Sequence, residues 1–129
     1  MQIYLLRHGI AESASATGSD ADRELTAEGR HGVKAIAKLA TRAGVKPSLV
    51  ISSPYKRAMR TARIAAEVFD YSTAIVPSAA LTPASSPEAV WDEIRTHRGE
   101  DSILLVGHEP LFSALGAYLL AAPELALVC

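Results

Sequence analysis

Short apolar runs alternate along this chain with longer segments in which apolar residues recur at helical spacing. The apolar runs predict four buried strands, at residues 3–6, 49–52, 73–76 and 102–106. The amphipathic segments predict four helices, at about residues 27–42, 54–69, 87–97 and 110–120. Strands that alternate with helices are typical of βαβ units, so we expect an α/β fold with a largely parallel sheet.

Capping signals refine the helix starts. Thr26 is suited to cap the first helix, and Ser53 with Pro54 the second, because serine and threonine accept free N–H groups and proline fits the first turn. The apolar stripe of the first helix is predicted to consist of Val33, Ile36, Ala37 and Ala40. Residues 11–25 show little periodicity and predict a loop, either inert or a lid beside a site.

Composition narrows the class of protein. The 129 residues suit one domain, and 49% hydrophobic residues exclude disorder as the main state. A net charge of -1 argues against a general nucleic-acid binder. The single cysteine, Cys129, excludes an internal disulfide, and no apolar run is long enough to span a membrane. We therefore expect a cytoplasmic protein with no membrane contact, and a monomer, since nothing in the sequence requires a partner chain.

Three polar clusters follow the first, second and fourth predicted strands. They are Arg7-His8-Gly9, Ser52-Ser53-Pro54-Tyr55-Lys56-Arg57 and Gly107-His108-Glu109. The carboxyl ends of parallel strands meet at one edge of a sheet, where ligands bind in open α/β folds. We therefore expect these clusters to form one site.

The expected site suits a phosphate or phosphoryl group. Arg57 falls in the first turn of its helix, and long helical side chains lean toward the helix N-terminus, so it should reach the sheet edge. Two arginines, two histidines and a helix N-terminus all favour an oxyanion. A neutral imidazole can also accept a phosphoryl group covalently, and His8 is the better nucleophile candidate because Arg7 and Gly9 flank it.

Simpler interpretations remain open for each of these residues. His8 could be a hydrogen-bonded histidine at a strand end, His108 a helix-capping residue and Arg57 an exposed helix arginine. The spacing of the four histidines does not match a zinc site, so we expect no metal and no cofactor.

The clusters resemble motifs of the histidine phosphatase superfamily, and within it the short SixA-type phosphohistidine phosphatases. Further similar segments are Arg23-x-Leu25-Thr26-x-x-Gly29, Arg57-Ala58-x-x-Thr61-Ala62, Leu81-Thr82-Pro83 and Gly107-His108-Glu109-Pro110. Arg60 departs from the pattern, since glutamine is common at that position. The resemblance implies a single histidine phosphatase domain over residues 1–129, with the three-layer α/β/α sandwich of the phosphoglycerate mutase-like fold. It also implies a further strand after the last helix, for which residues 125–129 leave room only in shortened form, unless the chain is truncated.

The resemblance further implies a metal-independent phosphatase that works through a covalent phosphohistidine on His8. Arg7, Arg57 and His108 would hold the phosphoryl group, with Gly9 and Ser53 as further substrate-binding residues. Larger members carry a carboxylate general acid after the third strand, but here no acidic residue lies between Asp70 and Glu88. Glu109 and Glu12 are the remaining candidates for a proton donor.

The absence of this general acid favours a substrate whose leaving group departs readily without a proton from the enzyme, such as phosphohistidine. We expect a phosphohistidine-bearing protein as the partner, either the phosphotransfer domain of a histidine kinase or a phosphocarrier. One alternative is a phosphatase acting on small phosphomonoesters. Another is a module that binds phosphate or phosphohistidine without turnover.

Overall fold

The computed structural model describes residues 1–120 and the backbone of residues 126–128. Five strands form one sheet: β1 (Gln2–Arg7), β2 (Leu49–Ser52), β3 (Val76–Pro77), β4 (Ser102–Gly107) and β5 (Ala126–Val128). Their order is β3-β2-β4-β1-β5, and every pairing is parallel. The four α-helices are α1 (Ala27–Arg42), α2 (Lys56–Val68), α3 (Pro87–Arg95) and α4 (Leu111–Leu119). Short 3-10 helices lie at Asp20–Asp22 and Ala79–Leu81.

The helices cover both faces of the sheet, because successive strand residues point to opposite faces and both sets are apolar. One core packs α3 and α4 against a sheet face that includes Ile51, Ile103 and Leu105. The other core packs α1 and α2 against Val50 and Leu104. The result is the predicted three-layer α/β/α arrangement. No helix in the described part of the chain has the length and hydropathy needed to cross a bilayer.

The strand register brings the ends of β1, β2 and β4 to the same level. Arg7 pairs with Gly107 across β1 and β4, and the His8 N–H then donates to the Gly107 carbonyl at 3.0 Å. On the other side of β4, the Ser53 N–H donates to the Val106 carbonyl at 2.9 Å. These backbone bonds fix the residues that follow the three strands at one edge of the sheet.

Helix α2 begins later than predicted. Its N-cap is Tyr55, so Ser53 is not the capping residue and Pro54 precedes the first turn. The Ser53 hydroxyl accepts from the Tyr55 N–H at 3.2 Å and lies 2.8 Å from His108 Nε2. These two contacts, the second made across the sheet edge, engage the hydroxyl that a helix cap would have used.

The prediction for the third strand was also wrong in position. The strand is Val76–Pro77 and not 73–76, because the preceding residues do not extend along β2: Thr73 lies in a bend, and the Tyr71 hydroxyl donates to the Ala74 carbonyl at 3.0 Å. Pro77 is tolerated there because β3 is an edge strand.

Helix α1 buries a narrower stripe than predicted. Its buried residues are Gly29, Val33 and Ala37, whereas Ile36 is 55% exposed. Ile36 is rotated about 100° from Ala37 around the helix, which places it at the margin of the packed face.

A strand follows the last helix, as the resemblance implies. β5 pairs with β1 over three residues. Residues 121–125 and Cys129 lie outside the described residues.

Candidate active site

The imidazole of His8 is held in one tautomer by two hydrogen bonds. Its Nδ1 lies 2.7 Å from the Gly9 carbonyl, which can only accept, so Nδ1 carries the proton. Its Nε2 accepts from Arg57 Nε at 3.3 Å. Burial lowers the pKa of His8, and the Arg57 and Arg7 cations lower it further, against an opposing effect of the Gly9 hydrogen bond. His8 is therefore neutral near pH 7, with a lone pair on Nε2.

Arg57 lies at the sheet edge, as its place in the first turn of α2 predicts. The residue is only 4% exposed. Its Nε donates to His8, and its guanidinium lies 5.1 Å from the centre of the Tyr55 ring. A buried guanidinium beside a neutral imidazole provides a strong binding group for an oxyanion.

His108 is nearly fully buried, and its ring lies 5.1 Å from that of His8. Burial, and then the nearby His8 and Arg57, lower the pKa of His108 to about 4. Its Nε2 faces the Ser53 hydroxyl at 2.8 Å. That hydroxyl already accepts from the Tyr55 N–H and can donate its own proton to Nε2, which leaves the proton of the neutral ring on Nδ1.

The Nδ1 of His108 is buried and has no hydrogen-bond partner among the described residues. A buried donor without a partner is costly, and it is one of the features that mark a ligand site. A phosphoryl oxygen could accept this hydrogen bond.

Asp20 is a site residue that sequence reasoning missed. Its carboxylate pairs with Arg57 Nη2 at 3.0 Å, and its backbone carbonyl accepts from Arg57 Nη1 at 2.7 Å. A hydrogen bond from Arg23 and another from Arg57 hold the pKa of Asp20 below its usual value. The loop of residues 11–25 therefore lies against the site. The sequence signal that could have identified Asp20 is its position three residues before the cation Arg23.

Arg7 and Gly9 flank His8 in different ways. Arg7 ends β1 with an exposed side chain, close enough for its charge to lower the pKa of His8. The Gly9 N–H donates to Thr61 Oγ1 at 3.2 Å, so this donor is already engaged. Gly9 contributes to the site through its carbonyl and through the close approach of its backbone to α1.

The two candidate proton donors lie apart from these contacts. Glu109 accepts from the N–H and the hydroxyl of Ser113 at the start of α4. Glu12 is exposed, and its backbone N–H bonds to Glu24 at the base of the loop. Within residues 1–120, no hydrogen bond joins either carboxylate to His8, Arg57 or His108. The same part of the chain contains no group of three His, Cys, Asp or Glu side chains placed to hold a metal ion.

Residues 3–82 match the family model of the histidine phosphatase superfamily (branch 1). The chain belongs to this superfamily. This histidine phosphatase is 32% identical to an uncharacterized protein of Picosynechococcus sp. over 114 residues, which are 85% of this chain and 67% of that protein. Among solved structures it is similar to the protein histidine phosphatase SixA complexed with tungstate, with a TM-score of 0.84 and 29% identity, covering 92% of this chain and 76% of that chain. SixA of Agrobacterium tumefaciens superposes with a TM-score of 0.83 and 28% identity, over 94% of this chain and 77% of that chain.

Membership of the superfamily indicates phosphatase activity. The site of this histidine phosphatase offers the groups such chemistry needs: an unprotonated imidazole nitrogen, a buried guanidinium that donates to it, and a buried imidazole donor. Together these groups can bind a phosphoryl group and accept it covalently.

Proposed function

We propose that this histidine phosphatase removes the phosphoryl group from a phosphohistidine of another protein, through a covalent intermediate on His8. One observation carries the proposal. The Gly9 carbonyl holds the proton of His8 on Nδ1, which presents the lone pair of Nε2 beside the Arg57 guanidinium. A nucleophilic nitrogen next to an oxyanion-binding cation is the arrangement that phosphoryl transfer to the enzyme requires.

In the first step, His8 Nε2 attacks the phosphorus and a P–N bond forms on the enzyme. The P–N bond of the substrate breaks, and its electron pair stays on the leaving imidazole nitrogen. The other ring nitrogen of the substrate histidine can already be protonated near neutral pH, so the leaving group departs as a neutral imidazole.

In the second step, water attacks the phosphorus and the P–N bond to His8 breaks. The electron pair returns to Nε2, and orthophosphate takes both protons of the water molecule. The hydrogen bond from Nδ1 to Gly9 retains the proton on the phosphorylated ring, so His8 also leaves as a neutral imidazole.

The neighbouring groups would stabilise the charge on the transferring phosphoryl group. Arg57 and Arg7 supply cations, and His108 supplies the Nδ1 donor that has no partner in the described structure. Ser53 fixes the His108 tautomer, and Gly9 fixes that of His8. Such pre-arranged donors typically contribute a factor of about a hundred to a thousand each to the rate.

The protonation state of the carboxylate beside Arg57 favours a phosphohistidine substrate over a phosphomonoester. An alkoxide leaving group needs a proton from a general acid. Asp20 is the carboxylate paired with Arg57, but its lowered pKa keeps it ionised near pH 7. An imidazole leaving group avoids this need. A phosphotransfer domain or a phosphocarrier would present such a group on its surface.

The test compares a phosphohistidine peptide with an aryl phosphate, in the presence of a chelator, for the wild type and for His8→Asn. His97→Asn, at a histidine in the segment after α3, is the matched control. We expect phosphate release from the peptide and a phosphoenzyme trapped by an alkaline quench in the wild type and the control, and neither in His8→Asn. Turnover of the aryl phosphate alone would favour the small-molecule alternative. Peptide binding without turnover by the folded wild type would favour a binding module.

A further inference from the structure

A groove between α1 and α2 concentrates positive charge on one layer of the molecule. We call it the basic groove. Five cations line it: Arg30, Lys34, Lys38, Arg42 and Arg60. Glu67 is the single carboxylate in this lining.

Four of these cations form a row along α1. Arg30, Lys34, Lys38 and Arg42 follow one another at four-residue intervals, and all are exposed. Like charges at this spacing destabilise a helix. Glu28 is the only acidic residue of α1, and within residues 1–120 none of the four cations forms an ion pair. The row therefore lacks the intramolecular neutralisation that would explain it as a feature of folding.

The basic groove begins near the active site, because Gly29, the residue before Arg30, packs closely against Gly9. A second cavity shares Arg30 and Arg60 with it and extends to Lys56, the residue before Arg57 in α2. Arg63 adds a further cation to this lining, and Met59 adds an apolar side chain. Together the two cavities hold seven of the chain's 13 lysines and arginines, although the net charge of the chain is -1.

We propose that the basic groove docks an acidic surface of the protein that carries the phosphohistidine. This assignment rests on the proposed function, since it places the docked surface beside His8. The α1 row extends for about 18 Å, which matches carboxylates spaced along one face of a helix. Charge complementarity of this kind accelerates association and selects partners.

The lining favours a protein over a nucleic acid. Glu12, Glu24 and Glu67 interrupt the positive surface, and they would repel a continuous phosphate backbone. Ile64 and Val68 supply apolar surface between the charges, which suits protein side chains.

The test uses two alanine-rich peptides that each carry one phosphohistidine. In one peptide glutamates occupy every fourth flanking position, and in the other glutamines replace them. The variant K34E/K38E reverses two charges of the row. The matched control K46E/R98E reverses two exposed cations in the loops before β2 and β4, at the opposite edge of the sheet.

We expect the wild type to prefer the glutamate peptide by about tenfold in kcat/KM at low salt. The preference should decline with added salt, disappear in K34E/K38E and persist in K46E/R98E. The proposal would be overturned if the kcat/KM values of the wild type for the two peptides were equal. It would also be overturned if K34E/K38E still preferred the glutamate peptide.

A binding measurement separates this proposal from the proposed function. If the wild type cleaves neither peptide, the proposed function fails, and fluorescence anisotropy with the unphosphorylated peptides still tests the groove. Tighter binding of the glutamate peptide by the wild type than by K34E/K38E would support docking, and equal binding would refute it. A duplex oligonucleotide that binds more tightly than the glutamate peptide would also refute the assignment to an acidic protein.

Discussion

The carboxylate of Asp20 occupies the outer edge of the Arg57 guanidinium. Asp20 accepts from Nη2 through its side chain and from Nη1 through its backbone carbonyl, while Nε of Arg57 points to His8. The side chain of Asp20 is 55% exposed, whereas that of Arg57 is 5% exposed. An exposed carboxylate therefore partners a buried guanidinium, at the place where a phosphoryl group is proposed to bind.

Removing the charge of Asp20 should strengthen oxyanion binding. In Asp20→Asn the guanidinium loses a competing anion, so we expect the inhibition constant of orthophosphate to fall roughly two- to fivefold. Asp22→Asn is the matched control, because Asp22 lies on the same 3-10 helix but pairs with Lys56. Inhibition kinetics measure both variants. An equal gain in the control would mean that overall charge, and not the Asp20–Arg57 contact, sets the affinity.

Replacing Arg57 by lysine should lower activity severely. Lysine lacks the planar fork that binds His8 and Asp20 at once and cannot bind two phosphoryl oxygens in parallel. We expect kcat to fall roughly a hundred- to a thousandfold in Arg57→Lys. Arg98→Lys, in the exposed loop before β4, should retain wild-type kcat. A loss of only a few fold, in a variant with wild-type melting temperature, would show that a positive charge suffices at this position and that the planar fork of Arg57 is not required.

Ser53 should act as a positioning residue through His108. In Ser53→Ala the imidazole loses the donor at Nε2 and its tautomer is no longer fixed, so we expect kcat to fall about tenfold. Nitrogen-15 NMR should show a change in the protonation of the two ring nitrogens of His108. Ser52→Ala removes a buried hydroxyl that bonds to the Ser53 carbonyl, and it should leave the His108 signals unchanged. Unaltered His108 signals in Ser53→Ala would contradict the assignment.

Much of the site follows from topology that the sequence reveals. Parallel strands place their carboxyl ends together, and this alone predicts that His8, Ser53 and His108 meet. The reach of Arg57 follows from the direction of side chains in a first helical turn. These inferences succeed because they depend on periodicity and on local geometry.

The parts that were missed depend on contacts between distant segments. Asp20 lies in a loop without periodicity, and its position is set by hydrogen bonds to Arg23 and Arg57. The capping propensity of Ser53 was outweighed by a contact with His108, which is 55 residues away. Local propensities do not encode such contacts.

The pH dependence of kcat/KM should reveal how the cations around His8 affect its pKa. Burial together with Arg57 and Arg7 lowers the pKa of His8, so kcat/KM should remain high below the usual histidine pKa of 6.5. In Arg7→Gln one cation is removed, protonation of His8 becomes easier, and its pKa rises. The acid limb of the profile should then move to higher pH. Proton NMR titration of His8 checks the same shift, and Arg98→Gln serves as the control. A limb that stays in place or moves to lower pH would show that Arg7 does not act on His8 electrostatically.

Gly9 should be required for the packing of β1 against α1. A Cβ atom at Gly9 would lie 2.8 Å from both the Gly29 carbonyl oxygen and a Val33 methyl group. Moving the backbone of Gly29 to relieve this clash would cost free energy. Gly9→Ala should therefore lower the free energy of unfolding by about 1–3 kcal/mol in urea titrations. Gly32→Ala is the matched control, because a Cβ there meets nothing within 4 Å and alanine favours a helix by about 0.5–1 kcal/mol. If Gly9→Ala were as stable as the wild type, the segment after β1 would have to shift away from α1, and the contact between Gly9 and His8 Nδ1 would change with it.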